Sequence, residues 1–152
     1  MLNSYKKLAK TREIQGIPPL PLNHEQTHDL TLLLENPPSE TDKKYLVDLL
    51  SNRVPPGVDS ASYVKATWLS SIAQETTDSP FINPKEATSL LGTMMGGYNV
   101  SALIELLKSR NKEVASIAAE SLSNTLLIYD AVNDVIELAE SNPFAKQVLN
   151  SW

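Results

Sequence analysis

Apolar residues recur at three- and four-residue steps along almost the whole of this 152-residue chain, and no stretch sustains the two-residue alternation of a strand. Leu2, Tyr5, Leu8 and Ala9 share one stripe of a helix expected over about 2–15, which "GIPPLPLN" ends because proline fixes φ and lacks the N–H. Asn23 reads as the N-cap of a second helix, closed by "NPPSE", and a third is expected over about 40–52 with Leu46, Leu49 and Leu50 buried. "NRVPPGVD" breaks it, and Asp59 starts a fourth near 60–75, where Ala61, Val64, Trp68 and Ile72 are in helical register. "NPKE" at 83–86 carries a capping asparagine, a first-turn proline and a glutamate placed to reach back. Gly92, Gly96 and Gly97 are expected to supply the positive-φ positions that stop the helix, and further helices follow over 100–108, 112–125, 129–141 and from Asn142-Pro143 to Trp152. The fold class is all-α, a single compact domain over 1–152 with eight or nine short helices.

The chain also repeats itself weakly. "LVDLL" at 46–50 resembles "LIELL" at 103–107, with "LTLLL" at 30–34 a looser copy. The second is followed by "KSRNKEVASIAAESL", a short polar link and an Ala-rich helix in which Ala115, Ala118 and Ala119 permit close packing. Helix, short loop, helix is the grammar of stacked α-hairpins of the HEAT type, here irregularly spaced. The last helix stops at Trp152 without a cap or breaker, which reads as the edge of a domain inside a longer chain.

Several kinds of chemistry are excluded by what the chain lacks. Without cysteine it has no disulfide, no thiolate nucleophile and no cysteine ligand for zinc or an iron–sulfur cluster, which also fits a cytoplasmic setting. A net charge of −5 argues against a surface that tracks nucleic acid, and no apolar run is long enough for a membrane span. Lys6, Lys7, Lys10 and Arg12 lie in a segment neither Arg-rich nor Ser-rich, and read as a solvated helix face rather than a targeting sequence.

Two stretches bear on a site. His24-Glu25-Gln26-Thr27-His28 matches H-E-x-x-H, which on a helix sets two imidazoles on one face with a glutamate as general base, the pattern of a zinc peptidase. Gln26, Leu30, Leu33 and Leu34 define the apolar side, so the histidines should face solvent; Leu34 stands where a third histidine would fall, and Glu35 and Glu40 are the nearest carboxylates downstream. "NRVPPGVD" is the second: Arg53 sits in a stiff loop, and Asn52, Arg53, Val54, Pro55 and Pro56 form either a contact loop held by a rigid scaffold or a linker whose prolines stop the helix. "LLGTMMGGYN" lacks phosphate-loop spacing and reads as a cap and turn, with Met94, Met95 and Tyr98 seating it or offering an adaptable surface.

"LVDLLSNRVPPGVDSASYVKATWLSSIA", "SPFINPKEATSLLGTMMGGYNVSALIELL" and the closing "FAKQVLNSW" resemble the amino-terminal HEAT-like domain of the bacterial aconitase B family, over essentially the whole chain. "NRVPPGVD", "YVKA" and "LLGTMMGGYN" are the specific stretches; Met94-Met95 and the histidine pair lie outside the likeness. The resemblance implies an aconitate hydratase, a lyase of the tricarboxylic acid cycle that isomerises citrate to isocitrate through cis-aconitate on a [4Fe-4S] cluster. Three cysteines of later domains would hold that cluster, so this chain would carry no catalytic, cofactor or metal residue. The implied partners are the swivel and catalytic domains of the same enzyme, whose substrate route this domain would help to wall, with a homodimer or other protein contacts besides. An independent HEAT-type adaptor is the alternative, and a zinc peptidase through His24, Glu25 and His28 the remote one.

Overall fold

A computed structural model describes residues 2–125 and 128–152. Among them every regular element is helical: α1 (Leu2–Ile14), α2 (His24–Glu35), α3 (Lys43–Asn52), α4 (Ser60–Ala73), α5 (Pro84–Gly92), α6 (Val100–Leu106), α7 (Lys112–Ser123), α8 (Ala131–Ala139) and α9 (Pro143–Ser151), with one 3-10 turn at Glu40–Asp42. That turn replaces the start expected for the third helix, because Ser39 caps Thr41 and the chain enters α3 only at Lys43.

The helix starts follow local chemistry. Asn23 and Asn83 each form a reciprocal capping box, with Gln26 and Glu86 respectively, while Asp59, Asn111 and Asn142 accept from backbone N–H groups of the first turn. Each cap satisfies donors that the helix cannot satisfy itself, worth about 1 kcal/mol apiece.

The helices pack as successive antiparallel hairpins, α4 with α5, α6 with α7 and α8 with α9. α5, α7 and α9 stack as one layer and α4, α6 and α8 as the other, while α2 lies on α4 and α3 on α2. Ala115, Ala118 and Ala119 are fully buried, so α7 approaches its neighbours closely. Gly92 serves the same end rather than the turn expected of it: it is the last residue of α5, and a Cβ there would stand 2.8 Å from the Cβ of Ser121 on α7.

Two stripes differ from expectation. Leu8 is exposed, leaving Tyr5 as the buried anchor of α1, its hydroxyl donating to the Leu20 carbonyl at 2.9 Å. On α2 the buried residues are Thr27, Leu30, Thr31 and Leu34, with Gln26 turned to its cap. The threonine hydroxyls donate to the Asn23 and His28 carbonyls at 2.8 and 2.6 Å, so burying them leaves no polar atom unsatisfied.

Candidate functional site

α3 runs out at Asn52, whose side-chain amide donates back to Asp48 at 2.7 Å. From there the "NRVPPGVD" loop is gripped at its carbonyls. Leu22 N–H donates to Arg53 O at 2.8 Å, the Ser62 hydroxyl donates to Pro55 O, and Met95 N–H donates to Pro56 O at 2.7 Å. The Tyr98 hydroxyl reaches Val58 O at 3.2 Å. Val54 is buried beneath, and two prolines stiffen the backbone without adding donors of their own. The loop is therefore an anchored element, wedged between the α1–α2 linker on one side and the α5–α6 loop on the other.

That clasp unites "NRVPPGVD" with "LLGTMMGGYN". Gly96 has φ +90°, and a Cβ there would lie 2.7 Å from the Gly57 carbonyl carbon and 2.9 Å from its oxygen, so only glycine allows the loops to meet. Asn99, buried, donates its side-chain amide to Leu91 O at 2.7 Å and Met94 O at 3.2 Å, closing the C-terminal end of α5. Met94 points inward at 6% exposure while Met95 stands out at 63%. The Tyr63 and Tyr98 rings meet edge to face, centroids 5.4 Å apart at 76°. Val58, Tyr63, Met95 and Tyr98 are all exposed, forming an apolar ridge along the clasp. Beyond Met95 the α5–α6 loop opens on a cleft of about 410 Å³ that Asn124 and Thr125 border from the far side.

Arg53 is half-buried, and its charge lies near the Tyr5 phenol, lowering a pKa that burial raises from its ordinary value. Lys65, within "YVKA", is 2% exposed and has no hydrogen-bond or ionic partner among the described residues. No fully buried side-chain nitrogen or oxygen among the described residues lacks a partner, so the Lys65 ammonium is the part that still touches solvent. Partial desolvation of that ammonium by burial depresses its pKa to about 8. Neither this lysine nor the Asn99 cap is legible from periodicity, although "YVKA" carries the first.

The H-E-x-x-H residues fall as the apolar pattern of α2 requires. His24, Glu25 and His28 are exposed, Glu40 lies in the 3-10 turn, and Glu35 accepts a hydrogen bond from the Trp68 indole at 2.8 Å. Among the described residues no three His, Asp or Glu side chains are grouped to hold a metal ion, and the chain has no cysteine to offer an iron–sulfur cluster. No described helix is long and apolar enough to cross a membrane.

The clasp holds its carbonyls in hydrogen bonds and leaves Val58, Tyr63, Met95 and Tyr98 exposed. Residues 4–152 match the family described as the aconitate B N-terminal domain. The chain is 53% identical over 152 residues to aconitate hydratase B of Synechocystis sp., 51% over 153 residues to that of Pseudomonas aeruginosa and 48% over 153 residues to that of Escherichia coli. In each case all of this chain is covered but only 17% of the relative, so it spans about a sixth of their length. The chain belongs to the aconitate B N-terminal domain family.

Proposed function

We propose that this chain is the amino-terminal docking domain of an aconitate hydratase B-type enzyme and contributes no catalytic group to the conversion of citrate to isocitrate. The observation that carries the reading is the unequal coverage: the whole of this chain aligns with only 17% of its relatives. Having no cysteine, it supplies no thiolate for the [4Fe-4S] cluster that the resemblance implies, and its His, Asp and Glu residues do not fit that role. The cluster and the chemistry then belong to later domains of a cytoplasmic enzyme. This domain packs against the swivel and catalytic domains and helps wall the substrate route.

Helices anchored by capped starts and an inflexible two-loop clasp suit that work, because a rigid surface loses little entropy when it docks. Asn52 to Pro56 act through the backbone: they fix the exposed ridge of Val58, Tyr63, Met95 and Tyr98 rather than presenting Arg53 alone. The test is co-purification of the 152-residue chain with the remainder of the full-length polypeptide, expressed separately. Binding of the two parts, with iron and aconitase activity confined to the larger, is the expected outcome. Recovery of an unrelated partner but no later domain would favour an independent adaptor.

A further inference from the structure

The α5–α6 loop has two sides, and the clasp uses only one. The other side faces the cleft, where Met94, Asn99 and Val100 are buried, Met95 is exposed, and Asn124 and Thr125 form the opposite wall. Its polar side chains are turned into their own helix ends. Thr93 donates to Leu90 O at 2.7 Å, Thr125 to Ser121 O at 2.8 Å and Asn124 to Glu120 O at 2.9 Å, while Asn99 bridges two carbonyls. Among the described residues no charged side chain lines the cleft, so it suits an apolar side chain of a polypeptide better than an ionic metabolite.

Residue 152 lies close to this opening. α9 lies along α7, and the Trp152 indole donates to Leu122 O at 3.3 Å. Leu122 is less than one turn before Asn124 in the cleft wall. The relatives run to about six times the length of this domain, and a continuation past Trp152 would leave the domain beside this opening.

We propose that the segment directly following position 152 in the longer polypeptide crosses this cleft and seats an apolar side chain against Met95 and Val100, fixing the domain to the next one. The proposal rests on the multidomain reading above and names its contact.

Methionine oxidation tests it. The 152-residue chain and the full-length polypeptide are treated with hydrogen peroxide, and sulfoxide at each methionine is followed by peptide mass spectrometry, with amide hydrogen exchange in parallel. Met95 oxidises readily in the short chain and at least about tenfold more slowly in the full-length one, whereas buried Met94 is slow in both. Equal Met95 rates in the two proteins overturn the proposal. If Met95 stays open while amides elsewhere in 2–152 gain protection, docking stands and this contact is wrong. If no amide gains protection, both readings fail, as they do if the gene stops at codon 152. Protection of Met95 in the short chain that grows with its concentration assigns the cleft to a second copy and also overturns the proposal.

Discussion

Trp68 on α4 donates its indole N–H to the Glu35 carboxylate at the end of α2, 2.8 Å away and 33 residues back in sequence. The ring is almost wholly buried, so this acceptor is what lets a polar nitrogen enter the α2–α4 interface. Glu35→Ala leaves the indole without a partner and should destabilise the fold by about 1–3 kcal/mol, whereas Glu35→Gln keeps an acceptor and should cost less. Urea unfolding of the two variants decides it. Equal midpoints for both and the wild type would mean that the link contributes nothing.

Gly96 and Gly97 separate contact from conformation. Both have positive φ, +90° and +99°, but a Cβ meets the Gly57 backbone only at Gly96 and open space at Gly97. Gly97→Ala should cost about 1–2 kcal/mol for the left-handed backbone alone. Gly96→Ala must also push the loops apart, so it should cost more and weaken the Tyr98–Val58 hydrogen bond and the Tyr63–Tyr98 contact. Thermal melts combined with tyrosine near-UV circular dichroism read both effects. A Gly96→Ala variant no worse than Gly97→Ala would show that the loops have room to part.

Local signals made the helices legible and left their meetings unread. Asn23, Asp59 and Asn83 announce their helices because a cap bonds within three residues, and all three act as the spacing predicts. The clasp instead depends on Tyr98 meeting Val58 across 40 residues, which no periodicity encodes. Gly92 reads as a turn glycine, yet it is a packing glycine, because the evidence for it lies on Ser121 of another helix. Thr27 and Thr31 look polar in a hydropathy pattern but bury well once their hydroxyls bond to the preceding turn. The "NRVPPGVD" loop stands out in the sequence by its prolines. The exposure of Tyr63 and Met95 beside it is a property of the assembled loops, which no local pattern encodes.

Lys65 gives the fold a pH signature. Its folded-state pKa is about 8, against 10.5 for the free side chain, so between those values the unfolded chain binds more protons and stability rises with pH. Below pH 8 both states are protonated and the full burial penalty is present, on the order of 3 kcal/mol from the shift. Lys65→Met keeps the apolar stem and removes the charge. Its advantage over wild type should be greatest at pH 7 and shrink by roughly 2 kcal/mol by pH 9.5. Tyr5 and Tyr45, whose pKa values burial raises, oppose this trend above pH 10 but do so in both proteins and cancel in the difference. A pH-independent difference in urea unfolding would place the Lys65 ammonium in ordinary solvent.

The H-E-x-x-H segment makes the last prediction, because its asparagine and its histidines should behave differently. Asn23 accepts from Gln26 N–H at 2.8 Å while Gln26 accepts from Asn23 N–H at 3.1 Å, so Asn23→Ala breaks the reciprocal cap and should cost about 1 kcal/mol. His24 and His28 are exposed, and their replacement by alanine should change stability by less than about 0.5 kcal/mol. Zinc added to untagged protein should raise the melting temperature of wild type and of the double histidine variant equally or not at all. A zinc-dependent rise that vanishes in the double variant would restore a metal site to α2. Two ligands one turn apart on a solvated face lack the third ligand and the enclosure on which such a site depends.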